Sequence, residues 1–285
     1  MELLKSISAI CIQNLRKWKT DYRIWAIGIL AFTMVCVYVD DINKISTGLN
    51  EPQPIWIYPF LYSQFHTKLI FTLLLVLLFC NAPFVDSNQT FVFMRSGRIR
   101  WLCGQILYVI LASGIYYIFL LLASILCSFA VGAEINLEWG RTLTTVANSD
   151  AAWNFGAPFI TIENHTLIYF TPITATWFTF LLSWLCGIMV GMLIFFCNTL
   201  TKTKSIGIII SSLIILLSAL ADRGFPEIIH FSPISWITVD KVDVGNLTLN
   251  PSFGYCINVY LAAIFLLTAG ILIFGKKQSM DVKGN

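Results

Sequence analysis

The sequence predicts an all-α membrane protein with six transmembrane helices, an N-terminal amphipathic interfacial helix and a re-entrant hairpin before the last span. Three observations carry this fold class. Charged residues are 12% of the 285 and hydrophobic residues 57%, whereas an ordinary globular domain carries roughly 25% charged. The charges are clustered, leaving uncharged runs at 24–39, 69–85, 101–133, 164–201, 205–221 and 244–275. Lys and Arg also favour alternate connections between those runs. A net charge of +3 is too small to hold a polyanion. The composition therefore excludes an ordinary soluble enzyme, a disordered chain and a nucleic-acid binder.

Residues 3–18 open the chain as an amphipathic helix. Leu3, Leu4, Ile7, Ile10, Cys11, Leu15 and Trp18 fall on one face at the helical period, and Glu2, Lys5, Arg16 and Lys19 fall opposite. Residues 1–21 are expected to lie flat at the bilayer surface, the alternative being a cap packed on the protein. The segment lacks the short apolar core and small-residue site of a cleavable signal peptide. Residues 22–285 then form one six-helix domain. A spanning helix needs about 20 mainly apolar residues, which places the spans near 22–39, 66–84, 103–131, 173–199, 205–221 and 255–274. His66 and Lys68 are expected at the outer interface of the second span. The runs do not alternate as barrel strands do.

Six spans put both termini on one side. Segments 1–23, 85–101, 201–204 and 275–285 hold five, three, two and three of the 18 basic residues. The intervening segments 40–68, 132–172 and 222–252 hold two, one and two. That asymmetry places both termini in the cytoplasm of a cell (plasma) membrane protein. The loop 85–101 carries Phe91, Val92, Phe93 and Met94, an apolar cluster that must be buried against lipid, the bundle or another protein. Ser87 or Asn88 caps a short helix there and Gly97 ends it. In the outer loop 222–252, Phe225–Val239 is apolar but broken by two prolines. It suits a re-entrant or interfacial hairpin.

The fourth span sets Ser183, Gly187 and Gly191 at four-residue spacing, a pattern that lets another helix approach closely, within the chain or across a dimer. The eight cysteines show no metal-ligand or redox spacing and read as small apolar fillers. No catalytic motif, no metal site and no cofactor-binding motif is found. Gly270 to Lys277 matches most of a P-loop. Lys277 replaces its hydroxyl residue, and the stretch ends a membrane helix rather than joining a strand to a helix. The span interiors hold no ionisable group of the kind that ion-driven transport uses, so energy for any uphill transport is expected from a separate subunit.

The run Asp86-Ser-Asn-Gln-Thr90-Phe91 through Arg98-Ile-Arg100-Trp101-Leu-Cys-Gly104-Gln105 resembles the coupling-helix pattern of permease subunits of type 2 ABC transporters, with Gln89-Thr90 where that family often has Gly-Thr. The amphipathic start, the six spans and the Pro-rich segment before the last span match that family's architecture. The resemblance implies a permease subunit of an ATP-driven exporter. It would pair with a second permease subunit, identical or related, within the lipid bilayer, and with separate ABC ATPase subunits. The loop after span two would seat in an ATPase cleft through Asp86, Thr90, Phe91, Phe93, Met94, Arg95 and Arg98. The competing readings are a non-transporting accessory or immunity-type membrane protein and an intramembrane enzyme with scattered site residues. For the loop alone, the competing reading is a topogenic loop whose phenylalanines lie in the interface.

Overall fold

A computed structural model describes residues 2–85, 96–157, 160–223, 226–243 and 249–277. Helix α1 (Glu2–Arg16) leads through a 3₁₀ turn to α2 (Tyr22–Leu49). α3 (Phe65–Phe79) and α4 (Arg98–Ala130) follow. Three short helices, α5 (Gly140–Asn148), the single turn Ala151–Asn154 and α6 (Asn164–Tyr169), precede α7 (Pro172–Thr201), α8 (Ser205–Arg223) and α9 (Phe253–Lys277). Among the described residues the only extended pairings are isolated bridges, Pro54 with Glu134 and Asp243 with Ser252. Four helices, α2, α4, α7 and α9, are long and apolar enough to cross a membrane, which fits a multi-pass membrane protein. The apolar part of α8 and the whole of α3 are shorter.

Charge gaps mark apolar stretches and not helix ends, so several boundaries shift. α2 runs ten residues past the end of its uncharged run. Lys44 Nζ lies 3.0 Å from Asp40 and 2.8 Å from Asp41, i,i+4 and i,i+3 pairs that continue the helix into charged sequence. It stops at Asn50, which takes a left-handed conformation. α3 ends at Phe79, five residues short of the expected 84, because Pro83 lies just ahead and proline cannot continue a helix. α7 starts where Thr171 Oγ1 accepts from Thr174 N and Pro172 fills the first helical position.

The helices join two distinct ends, here termed the base and the cap. At the base, α1 packs on the start of α4 by burying Ile10, Cys11 and Asn14. Asn14 Nδ2 donates to Gln105 Oε1 at 2.8 Å and Trp18 Nε1 to Tyr108 Oη at 2.9 Å. Leu3 and Leu4 stay exposed. Arg23 Nη1 donates to Cys80 Sγ, which ties the start of α2 to the end of α3. Asn198 joins three elements, donating to Ala82 O at 2.7 Å and accepting from Gly207 N at 2.9 Å. Arg98 Nη1 donates to Lys276 O, so α9 ends here as well. The base therefore gathers 2–23, the ends of 85–101, and 201–204, with α9 reaching it at Lys276.

At the cap, the described residues of the segments 40–68, 132–172 and 226–252 fold over one another. Arg141 pairs with Glu51 at 3.1 Å and Lys241 with Glu163 at 2.9 Å. Trp139 Nε1 donates to Phe170 O, and its ring packs 5.3 Å from that of Phe60. The segment expected as a hairpin is built, from 226 on, as three 3₁₀ turns, Pro226–Phe231, Ser235–Ile237 and Val239–Lys241. Ile234, Trp236 and Ile237 are buried, and their turn packs on α7 and α8. Trp236 Nε1 donates to Ile229 O and Tyr260 Oη donates to Pro233 O. These bonds meet the rule that non-helical backbone in apolar surroundings needs protein cover.

Inside, α7 is wrapped by α3, α4, α8 and α9. The eight cysteines are free thiols. Cys36 Sγ of α2 lies 3.2 Å from Cys127 Sγ of α4.

Candidate functional site

Of the sequence-predicted coupling residues the structure describes Arg98, at the base. Asp86, Thr90, Phe91, Phe93, Met94 and Arg95 lie outside the described residues. The residues that flank them are both at the base. Val85 lines a cleft with Tyr108 and Lys204. Gly97 has φ +81°, which suits glycine at a sharp entry into α4. Arg98 holds the end of α9 through Lys276 O at 3.2 Å. Beside it opens a cleft of about 570 Å³ whose lining includes Arg98, Arg100 and Lys276. Three cations at one rim present a surface complementary to acidic groups.

The small-residue stripe is packed within the chain. A Cβ at Gly187 would sit 2.7 Å from Tyr117 Cε2 and 3.2 Å from Ser113 Cβ, both on α4. One at Gly191 would meet Val109 Cγ1 of α4 at 2.6 Å and the Phe79 ring of α3 at 3.0 Å. Ser183 Oγ donates to Phe180 O and lies 3.3 Å from Tyr58 Oη. Glycine here lets α3 and α4 approach α7 closely, and Ser183 meets the loop that covers the bundle from the cap side.

Two polar groups in the cap were missed by sequence reasoning. Asp240 is buried, accepting from Ser63 Oγ at 2.8 Å and from Thr166 Oγ1. Burial pushes its carboxyl above the usual carboxylate range, and the hydrogen bonds from Thr166 and Ser63 oppose that rise. Lys68, expected at the outer interface of the second span, is buried in the first turn of α3. Tyr58, Phe60, Leu61 and Tyr62, just ahead of that helix, are themselves buried, with the Tyr62 ring 5.7 Å from that of Phe71. His66 is exposed, as its place on the far face of the same turn allows. Asn198 was also unremarked, and Gln105 entered only as the end of the coupling-helix pattern, although each is an amide side chain in an otherwise apolar run. That oddity is the signal that could have found them.

Among the described residues no group of three or more His, Cys, Asp or Glu side chains could hold a metal ion. What the arrangement offers is mechanical. A packed apolar bundle has a basic rim at one end and a cross-linked cap at the other. Comparison with models of known protein families, with curated proteins and with solved structures finds no match to this chain.

Proposed function

We propose that the chain is the membrane-spanning permease subunit of an ATP-driven exporter, working with a second permease subunit and with separate ABC ATPase subunits. One observation carries this reading most strongly. The connection 86–95, with its apolar cluster, is flanked on both sides by base residues, next to a rim bearing Arg98, Arg100 and Lys276. Under this reading the base faces the cytoplasm, and α3 and α8 complete six membrane crossings beside the four longer helices. The turns at 226–241 then dip toward the bilayer from the outer side.

In this mechanism Phe91, Phe93 and Met94 anchor in an apolar cleft of the ATPase while Arg95 and Arg98 meet acidic groups on its rim. ATPase closure pushes the loop. Val85 and Gly97 pass the movement to α3 and α4, which grip α7 through Gly187 and Gly191. Tight contacts of this kind transmit a rigid displacement rather than absorbing it. The uncharged interior suits amphipathic cargo such as peptides, lipids or drugs.

The test is co-purification with the ATPase encoded nearest to this chain's gene. Phe91→Asp with Phe93→Asp should abolish association and the stimulation of ATP hydrolysis, while the bundle keeps its thermal stability. Full association and stimulation in that variant would falsify the coupling role.

A further inference from the structure

The N-terminal stretch through α2 runs in step with α4. Asn14 bonds Gln105, Trp18 bonds Tyr108 and Cys36 touches Cys127, at sequence offsets of 91, 90 and 91. Tyr108 and Cys127 are joined by unbroken α4, a rise of about 28 Å at the helical repeat. That is close to the hydrocarbon thickness of a bilayer, about 30 Å. With Trp18 and Tyr108 at the boundary on the base side, the two thiols lie near the opposite boundary, beneath the cap.

The charged residues place them at the same depth. Asp40, one turn beyond Cys36, is the first charged residue of α2 after Arg23, and its side chain is 60% exposed. α4 ends at Ala130, one turn beyond Cys127, and exposed Glu134 follows. Val37 and Leu126, next to the two cysteines in sequence, are 52% and 63% exposed, so the seam between the helices opens outward. Cys36 is half-buried and Cys127 buried. Their Sγ atoms are 3.2 Å apart, and a disulfide needs about 2.05 Å.

We infer that Cys36 and Cys127 are a redox modification site, converted to a disulfide by a hydroperoxide in the bilayer. Cys36, the more exposed, reacts first. Its thiol loses a proton to water at the boundary, since the thiolate is the nucleophile. The sulfur then bonds the outer oxygen of the hydroperoxide and the O–O bond breaks. The departing alkoxide takes up a proton, leaving an alcohol and a sulfenic acid on Cys36. Cys127 loses its proton, its sulfur bonds that of Cys36, and the S–O bond breaks to release water. Two thiols give up two electrons in all, and one peroxide bond is reduced. A partner sulfur already in contact makes the second step fast. The disulfide fastens α2 at its cap end, as Trp18 and Tyr108 fasten it at the base. α2 has few other restraints, with 28% of its most apolar window buried within the protein. The inference needs the bundle to lie in a membrane. It requires no ATPase and no particular side for the cap.

The test uses the full chain, purified reduced in detergent, freed of reductant and treated with cumene hydroperoxide. Remaining thiols are labelled with N-ethylmaleimide in denaturant, and the intact mass and the disulfide-linked peptides are measured. The oxidised chain should carry two fewer labels than the eight of the reduced chain. The linked peptides should join Cys36 to Cys127 over any other pair by at least about tenfold. The thermal midpoint should rise by several degrees, and dithiothreitol should reverse both changes. Cys127→Ser should stop at the sulfenic acid on Cys36, captured by dimedone. Eight labels on the oxidised unaltered chain would overturn the inference, as would other cysteine pairs at equal yield. So would dimedone capture on Cys36 as high in the unaltered chain as in Cys127→Ser. The unaltered chain carries the deciding measurement, so a variant that fails to fold leaves the test intact.

Discussion

Helices α7 and α9 have the same mean hydropathy over their most apolar windows, 2.4, yet 72% of that window is buried within the protein in α7 and 11% in α9. They pack against each other, so neither length nor solvent preference separates them. What separates them is side-chain size and its spacing. α7 places Ser183, Gly187 and Gly191 along one line, and α3 and α4 close onto it. α9 points Leu261, Phe265, Leu266, Ile273 and Phe274 away from the protein and buries a narrow stripe of Cys256, Tyr260 and Ile271. Hydropathy thus reports the solvent a helix tolerates. The pattern of small residues reports whether other helices surround it.

The sharpest way to break this contrast is to overfill the line on α7. Gly191→Leu forces a side chain into space held by Val109 and Phe79, and overpacking of that kind costs about 1–3 kcal/mol or more. Because the nearest atoms lie within 3.0 Å even of a Cβ, the upper end is expected, read as a large drop in the thermal unfolding midpoint in detergent. Next in size is Asn198→Ala. It strands Ala82 O and Gly207 N in a buried site, at about 1–3 kcal/mol for each group left unpaired. Chemical denaturation should show the loss, and a change under about 0.5 kcal/mol would mean water replaces the side chain.

The cap supplies a smaller, pH-dependent effect. Asp240 in the folded cap has its carboxyl raised by burial, whereas the unfolded chain ionises at the ordinary value. Its contribution is therefore present in full below that ordinary value and is lost as pH rises through the folded one. Asp240→Asn keeps an oxygen acceptor for one of the two hydroxyls and should flatten that slope in a series of unfolding curves against pH. An unchanged slope would show that the carboxylate is not the group responsible. The smallest effect belongs to α9. Leu266→Ala, at a side chain 69% exposed, should shift stability by about 0.5 kcal/mol or less. A loss comparable to that of Gly191→Leu would mean that this face of α9 is covered by another chain, and the contrast between the two helices would then be one of partners.

The four long helices were legible because a bilayer-length gap between charges is a strong and local signal. Their ends were less so. Asp40, Asp41 and Lys44 continue α2 through side-chain pairing, which a search for uncharged runs treats as an end. Grouping Lys and Arg by segment anticipated which connections gather at the base, since Lys17, Arg23 and Lys204 come together there. The cap was not legible at all. Asp240 meets Ser63 across 177 residues and Thr166 across 74, and no local pattern announces a contact of that range. Lys68 illustrates the same limit. Its burial is set by tertiary packing and not by its neighbours in sequence.

The thiols of Cys36 and Cys127 add a last consequence, one of measurement. They sit 3.2 Å apart on α2 and α4, and just ahead of α2 Trp18 bonds Tyr108 of α4. With the other six cysteines replaced, the pair becomes a proximity gauge that the chain already carries. The yield of cross-link with a membrane-permeant oxidant such as iodine records the fraction of time α2 and α4 remain side by side. If the protein works by parting those helices, that yield should fall under turnover and recover at rest.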